Sequence, residues 1–256
     1  MLLDAICFHP PTTLIESLMK LGNYIRAIIL IGCSLAAAVH AIAKPPANAA
    51  FVPVEHATFH HLVFADSDIA ILNVYFPPKG DSGFHTHSRD LFGVVIRPST
   101  TSSQDVGEAL DSGGTESAGD ASYGAIEPKH LTHRVVNDGD GPRHLVVTEL
   151  RRARPLGTGV STREAAPQYA RIVDNRRLRA WRLILQPGES APAITQRGKG
   201  VRVVVRGGLL TTTMPRLGDQ QLVLRAGDFA VQPAGATRAL KNTGTEPIEL
   251  VELELK

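Results

Sequence analysis

The chain has 256 residues, enough for two domains of ordinary size. Its composition, with 43% hydrophobic and 20% charged residues, agrees with a globular protein. The formal net charge of +2 is too small to indicate a protein that binds nucleic acid, or one that binds an anionic membrane surface electrostatically.

Residues 1–43 have the pattern of a secretory signal peptide. Met19–Arg26 is basic, Ala27–Val39 is apolar, and Ala41–Ala43 or Ala47–Ala49 offers a small-residue cleavage site. The apolar run is shorter than the ~18 to 20 residues that span a bilayer, so we expect no spanning helix in the mature protein. Acidic residues and prolines before Met19 suit no part of a signal and indicate that translation begins at Met19. The protein is therefore expected in the periplasm or outside the cell.

A second interpretation of this segment is a lipid anchor. Leu30–Cys33 resembles a bacterial lipobox, in which Cys33 would become the lipidated first residue, although the apolar run before it is short. Cleavage after Ala43 would instead remove both Cys7 and Cys33. The mature chain would then hold no thiol and no disulfide.

Residues 44–50 form a Pro/Ala tether, and short alternating segments separated by Gly, Pro and Asp follow it. No amphipathic pattern of helical length stands out, so the pattern predicts an all-β protein whose strands close into jelly-roll barrels. The strand candidates of the first half are Phe51–Val54, His61–Phe64, Ile69–Phe76, Leu91–Ile96, Arg134–Asn137 and Leu145–Leu150. Those of the second half are Ile172–Val173, Leu178–Leu185, Val201–Val205, Leu209–Thr213, Gln221–Leu224, Phe229–Gln232 and Ile248–Leu255.

The first motif is a pair of histidines placed one residue apart. Gly80 opens a turn-forming stretch that leads to His85 and His87. In an extended strand both side chains leave the same face, so both imidazoles can reach one metal ion roughly 2.0 to 2.1 Å from each nitrogen. Asp90 is the nearest acid after the pair. It points to the opposite face of an ideal strand and can ligate only if the chain bulges there.

The second motif lies beyond a polar segment, Pro98–Asp120, which we expect to be a mobile loop near the barrel. It contains Pro128, His133 and Asn137. His133 would bring the third imidazole from a neighbouring strand. His130, three residues before His133, is a candidate acid or base near a substrate, as is Asp90. We expect surface or packing roles for the remaining histidines, His56, His60, His61 and His144.

The two motifs resemble those of the cupin superfamily. In that family a glycine precedes the His pair and a glutamate follows three or four residues later; here the acid is Asp90. The family's turn glycine in the second motif is replaced by His130. The resemblance implies a double-stranded β-helix that holds one divalent metal ion through His85, His87 and His133, with Asp90 as a doubtful fourth ligand.

The chain contains an internal repeat. Residues 133–150 align without a gap on residues 238–255, with coincident Asn, Gly, Pro, Glu and Leu residues. Upstream, Gly80–Asp90 aligns on Gly188–Gly198. We therefore predict a tandem bicupin: a metal-binding domain over 51–155, a linker over 156–170 and a degenerate domain over 171–256.

The second copy has lost its metal ligands. The aligned positions hold Ala193, Thr195, Gly198 and Arg238, so no imidazole or carboxylate remains. The simplest interpretation is a structural partner that covers the first barrel. A sharper one is that Arg238 binds a carboxylate or phosphate through its planar fork.

Imidazole ligands suit Fe, Zn, Cu, Ni and, with a carboxylate, Mn, so the sequence does not distinguish these metals. The resemblance implies a wide range of activities, and the fold does not choose among them. The leading hypothesis is an exported metal-dependent enzyme, dioxygenase-like, that acts on a small organic substrate. The alternative is a noncatalytic cupin of the cell envelope that binds a metal or a small ligand. The resemblance also makes a homodimer one expected assembly.

Overall fold

The computed structural model describes residues 51–256 apart from 153, 156, 158, 162, 164 and 165. The predicted signal segment 1–43 and tether 44–50 lie outside these residues. Within the described part, the regular structure consists of strands and one 3-10 turn, Val54–His56. None of the described helices has the length and apolar character needed to cross a bilayer.

The strands fall into two consecutive sets. The first set is β1 (Val52–Pro53), β2 (His60–Ala65), β3 (Ile69–Phe76), β4 (His85–His87), β5 (Leu91–Arg97), β6 (Thr101–Asp105), β7 (Asp111–Ser112), β8 (Ala121–Gly124), β9 (Leu131–Asn137) and β10 (Arg143–Leu150). The second set is β11 (Tyr169–Asp174), β12 (Leu178–Leu185), β13 (Ser190–Thr195), β14 (Gly200–Arg206), β15 (Gly208–Met214), β16 (Gly218–Leu224), β17 (Phe229–Gln232), β18 (Thr237–Asn242) and β19 (Ile248–Leu255).

Each set forms a barrel of two facing sheets. In the first barrel the strand orders are β1-β4-β9-β6-β7 and β2-β3-β10-β5-β8. In the second they are β11-β12-β19-β14-β17 and β13-β18-β15-β16. The matching orders confirm the predicted all-β pair of tandem jelly-roll barrels. β11 begins at Tyr169, inside the segment predicted as a linker.

The two barrels share a hydrophobic core. One face of the sheet containing β3, β10 and β5 packs on the corresponding face of the sheet containing β12, β19 and β14. Ile71, Phe92 and Val146 of the first barrel are buried in the same cluster as Val203 and Leu253 of the second. These strands therefore bury both faces, which explains their nearly continuous apolar sequences.

Two sets of ion pairs with opposite polarity flank this shared core. Asp90, just before β5, contacts Arg177, just before β12, at 3.0 Å. Lys199, just before β14, contacts Asp66 at 2.8 Å and also pairs with Asp68, just before β3. Because β5 corresponds to β14 and β3 to β12, the two pairs occupy equivalent places with the charges exchanged.

The polar segment Pro98–Asp120 differs from the expected mobile loop. Its first part is β6, which pairs with β9 and buries Thr101, Ser102 and Gln104. Polar side chains are accommodated because they form hydrogen bonds: the Ser102 hydroxyl donates to Asp138, and the Gln104 amide donates to the Glu108 carbonyl. Because the segment has low hydrophobicity, the sequence pattern did not predict that it contributes a strand to the barrel wall.

Candidate metal centre

Two adjacent strands of the first barrel bring the three sequence-predicted histidines together. His85 and His87 lie on β4 with one residue between them, and His133 on β9 is the direct cross-strand partner of His85. The ring centroid of His133 lies 4.8 Å from that of His85 and 5.1 Å from that of His87. The strand pairing thus places all three imidazoles inside the barrel.

A fourth histidine joins this group. His60, at the start of β2, is buried, and its ring centroid lies 4.6 Å from that of His85. Its burial excludes the expected surface role, while a packing role stays compatible with its edge-on contact with Phe76. The neighbouring His61 is exposed on the opposite face, as strand alternation requires. We call His60, His85, His87 and His133 the histidine cluster.

Three members of the cluster have the spacing of metal ligands. One nitrogen from each of His60, His85 and His87 lies within 4.8 Å of the others. Two nitrogens bound to one ion stand at most about 4.2 Å apart, given bond lengths near 2.1 Å. A small contraction would bring these three nitrogens onto a single ion, whereas the predicted ligand His133 is not in this group.

Backbone carbonyls orient two of these rings. Nδ1 of His85 donates to the Gly83 carbonyl at 3.0 Å, and Nδ1 of His60 donates to the Thr58 carbonyl at 2.9 Å. Since a carbonyl only accepts, Nδ1 carries the proton in both rings and Nε2 keeps its lone pair. Nε2 of His85 is buried without any hydrogen-bond partner among the described residues. An unpaired lone pair of this kind fits a metal ligand.

Burial lowers the pKa of three members of the cluster, His60, His85 and His133. Desolvation lowers the pKa of His60 and of His85 to about 4. Desolvation together with the charges of the other histidines lowers the pKa of His133 to about 3. Neutral imidazole is the form that binds a metal ion, so these three rings are in the ligating state.

Glu149 is a neighbour of the cluster that sequence reasoning did not identify. Oε1 of this buried carboxylate on β10 lies 3.7 Å from Nδ1 of His87, and neither atom has a hydrogen-bond partner among the described residues. Carboxylates at such positions commonly orient a metal-bound imidazole. The coincidence of Glu149 with Glu254 in the repeat was the one sequence signal that could have identified it.

A cavity of about 270 Å³ lies next to the cluster. His60, His87 and His133 line it on one side. The rest of its wall is largely aliphatic and aromatic, with a few polar groups. The full set of its remaining lining residues is Leu72, Val74, Phe76, Leu91, Thr101, Ser103, Val135, Arg143, Leu145 and Val147.

The structure assigns Asp90 a different environment from the one expected of a ligand or of an acid or base. Its carboxylate accepts hydrogen bonds from the Tyr123 hydroxyl and from the backbone N–H groups of Ile126 and Glu127, and it pairs with Arg177. Burial raises the pKa of Asp90, but these donors outweigh burial and the net pKa is lowered. Asp90 is not a member of the group with ligand spacing. Its contacts connect the two barrels instead.

His130 is exposed in the turn before β9 and does not line the cavity. Its φ of 56° lies in the left-handed region. This is the position where the family motif has a glycine, which adopts such angles at little cost. The predicted acid/base role of His130 therefore has no support from its position.

Strand register corrects the repeat alignment by one residue near β13. Ile194 pairs with Arg238 as His85 pairs with His133, because β13 has a bulge after Ala191. The positions equivalent to His85 and His87 are therefore Ile194 and Gln196 rather than Ala193 and Thr195. A β-bulge adds one residue to a strand without a clear signal in the residues on either side of it. The alignment, which contained no gap, therefore did not detect it. The second barrel still lacks the ligand set.

A buried charge network occupies the interior of the second barrel. Arg163, from the segment before β11, is 1% exposed and contacts Glu252 at 3.1 Å and Glu254 at 2.9 Å. Its guanidinium lies 4.2 Å from the ring centroid of Trp181. Arg202 pairs with Glu252 at 2.8 Å. An internal cation thus lies within this barrel among carboxylates.

Arg238 is half-buried at the edge of this network. Its Nη2 donates to Oε1 of Gln232. Desolvation and the nearby charge of Arg202 lower the pKa of Arg238 to about 10. The predicted contact with an anion stays a prediction.

The second barrel carries the similarity to a known family. Residues 181–254 match the family model described as a cupin domain. The second barrel therefore contains a cupin domain. The match covers the cupin copy that has lost the histidines, which shows that the barrel framework, rather than the metal ligands, carries this similarity. No curated protein matches the sequence at a significant level.

Solved structures share this fold at low identity. AerE from Microcystis aeruginosa is 12% identical with a TM-score of 0.55, over 75% of this chain and 90% of that one. A salicylate 1,2-dioxygenase from Pseudaminobacter salicylatoxidans is 17% identical with a TM-score of 0.51, over 73% and 71%. A single-residue mutant of that enzyme, in complex with gentisate, is 15% identical with a TM-score of 0.52, over 73% and 69%. These likenesses establish the fold.

One cupin motif residue persists in both barrels for a structural reason. The Asn137 side-chain amide donates to the carbonyls of Pro77 and Gly141, and that of Asn242 donates to the carbonyls of Leu185 and Glu246. Both asparagines are fully buried. The asparagine holds the hairpin before the last strand of each cupin barrel, which explains its retention where the ligands are lost.

Proposed function

We propose that the N-terminal barrel binds one divalent metal ion through the histidine cluster, and that the protein is a metal-dependent enzyme of dioxygenase-like character. The observation that supports this most strongly is the set of closely spaced, largely buried imidazoles beside a cavity of about 270 Å³. Unpaired nitrogen atoms at His85 and His87 are costly to bury unless they bind something.

The residues of the site have distinct tasks in this proposal. The carbonyls of Gly83 and Thr58 orient the rings of His85 and His60. The aliphatic wall excludes water and strengthens electrostatic interactions within the cavity. A metal ion bound there would supply Lewis acidity and, if redox-active, the capacity to react with O₂. The metal can be Fe, Mn, Zn, Ni or Cu, because imidazole ligands suit each of them.

The substrate is proposed to be a small organic molecule. The cavity of about 270 Å³ is close to the lower end of the range of small-molecule sites, roughly 300 to 1,000 Å³. Salicylate dioxygenase has the same fold at 17% identity, which makes ring or carbon–carbon bond oxidation a reasonable first reaction to assay.

Elemental analysis of protein purified without chelator, followed by oxygen-uptake assays with small organic compounds, tests this function. We expect about one metal ion per chain, lost in a variant that lacks His85. Zinc as the native metal together with no oxygen consumption would contradict the dioxygenase-like activity.

The second candidate is a noncatalytic cupin that binds a metal or a small ligand. It is favoured by the second barrel, where Ile194, Gln196 and Arg238 occupy ligand positions and a charge network fills the interior. This candidate predicts tight binding of a small molecule without turnover. A homodimer also remains a proposal, which light scattering of the full protein tests.

We further propose that the protein is exported to the periplasm or secreted, with lipid anchoring at Cys33 as the alternative. The basic, apolar and small-residue order of residues 19–43 supports this. Amino-terminal sequencing of the native protein tests it. A mature chain that retains residues 1–18 would contradict it.

A further inference from the structure

We propose that Arg143 binds a carboxylate group of the ligand, and that Glu116 takes the place of that carboxylate when no ligand is bound. The inference rests on the proposed function in one respect: the cavity beside the histidine cluster is the ligand site. It names the chemical class of that ligand as a small carboxylic acid with an apolar body.

Arg143 is the cationic side chain of the cavity. It opens β10 and lines the same cavity as His60, His87 and His133. No other arginine or lysine contributes to the described wall, and its side chain is only 12% exposed. Because burying an unpaired guanidinium is expensive, a cation at this position needs an anionic partner.

Glu116 supplies this partner in the structure. Its Oε2 accepts from Nε of Arg143 at 2.8 Å, and its Oε1 accepts from Nη2. This is the two-pronged arrangement in which the planar guanidinium fork binds any carboxylate. The site for a carboxylate is therefore built, and a residue of the protein itself occupies it.

Glu116 is attached in a way that permits it to leave. It lies between β7 and β8 in a stretch without helix or strand, and its side chain is 23% exposed. Moving it therefore breaks no strand pairing. A ligand carboxylate that replaces Glu116 preserves the ion pair of Arg143, whereas a neutral ligand that displaces Glu116 leaves the guanidinium unpaired.

The rest of the cavity wall favours a ligand with an apolar hydrocarbon part. Leu72, Phe76, Leu145 and Val147 are among the side chains of its wall. A ligand with its carboxylate on Arg143 thus places its hydrocarbon part in the same cavity as the histidine cluster. The charge and the apolar wall together favour a compact monoanion over a sugar, a polyanion or a neutral amide.

Calorimetric titration of the full protein with benzoate and with benzamide, its neutral analogue, tests the inference. Both metal-free and zinc-loaded protein are titrated, because zinc has no redox chemistry and does not oxidise the probe. We expect benzoate to bind at least tenfold more tightly than benzamide. Arg143→Gln should abolish this preference, and Glu116→Gln should tighten benzoate binding several-fold because it removes the competing carboxylate.

Matched controls are provided by Arg134 and Asp81, whose side chains lie 3.5 Å apart and do not line the cavity. Arg134→Gln and Asp81→Asn should leave both affinities unchanged. If Arg143→Gln fails to fold, Arg143→Lys retains the charge without the planar fork and should reduce the preference. An unchanged preference in the Arg143 variants, weaker benzoate binding in Glu116→Gln, or no benzoate binding in either protein would overturn the inference.

Metal content measured on the same samples separates this inference from the proposed function. Preference for benzoate that depends on Arg143, in a protein that binds no metal, would refute the proposed enzyme but support the carboxylate site. Metal bound at the histidines without any effect of Arg143 would refute the carboxylate site alone.

Discussion

Individual residues in the first barrel show how carboxylates with similar burial acquire different tasks. Glu149 faces the histidine cluster and has an oxygen atom without a hydrogen-bond partner among the described residues. Asp90 is saturated by Tyr123, two backbone N–H groups and Arg177. A carboxylate already held by several donors has little capacity left for a metal ion or for proton transfer.

We expect Glu149→Gln to weaken metal binding by about 10- to 100-fold, because it removes the negative charge that can orient and polarise His87. Metal affinity measured by competition with a chromophoric chelator checks this. The matched control is Glu254→Gln, the equivalent change in the barrel without ligands, which should alter stability but not metal affinity. Equal metal affinities for wild type and Glu149→Gln would refute the role of Glu149.

Asp90→Asn should destabilise the protein by about 1 to 3 kcal/mol, because it removes the closer of the two carboxylates that pair with the buried Arg177 and leaves only Glu127, 3.7 Å away. Its metal content should remain that of the wild type. The folded-state pKa of Asp90 is lowered, so its stabilising contribution is complete above about pH 4, near the unfolded value, and is lost as the pH falls further. Denaturant titrations between pH 3 and 7 check this. Loss of the metal in a folded Asp90→Asn protein would instead make Asp90 a ligand.

At the scale of structural elements, a turn of the second barrel packs directly against a strand of the first. The turn before β17 carries Gly227 with φ of 91°, and its backbone lies directly against His144 on β10 of the other barrel. A Cβ atom placed on Gly227 would stand 2.4 Å from Cε1 of His144. Both backbone angle and close approach therefore require glycine here.

Gly227→Ala should cost more stability than Gly218→Ala. Gly218 also has a positive φ, 66°, but no atom lies within 4 Å of its missing Cβ, so that variant measures backbone strain alone, about 1 to 2 kcal/mol. The difference between the two variants measures the contact with His144. Chemical denaturation of both checks this, and equal losses would show that the His144 side chain moves aside at no measurable cost.

At the scale of the whole molecule, the two barrels are complementary rather than interchangeable. They share an apolar core, and Asp90 pairs with Arg177 where Lys199 pairs with Asp68. Two N-terminal barrels paired in the same way would place Asp90 opposite Asp68 of the second copy. Like charges at a buried position are strongly unfavourable, so the exchange of charges selects the pairing of unlike barrels.

Expressed alone, residues 51–155 should be poorly soluble or self-associated, because their half of the shared core would be exposed. Co-expression with residues 156–256 should restore a soluble one-to-one complex. Size-exclusion chromatography with light scattering checks both outcomes. A soluble, monomeric N-terminal barrel would show that the second barrel is not needed to cover this face.

Sequence patterns predicted the barrels well because alternation and turn residues are local signals. The histidine pair on β4 and His133 on β9 could also be predicted, since the spacing of one residue places two rings on one face and the second motif supplies the third. His60 could not, because its approach to His85 depends on the pairing of β2 with β3 and on closure of the barrel. Nothing within a few residues of His60 signals that contact.

Sequence by itself determined the all-β class, the repeat, the paired histidines and the loss of ligands from the second copy, because each of these depends on residue types at short or repeated spacings. Tertiary structure alone decided that His60 joins the cluster and that Asp90 contacts Arg177. It also decided that Ile194 and Gln196 take the lost ligand positions. Finally, it placed Glu116 against Arg143. These contacts join residues far apart in the chain. These contacts depend on strand register, bulges and barrel closure, and local sequence predicts none of these three features.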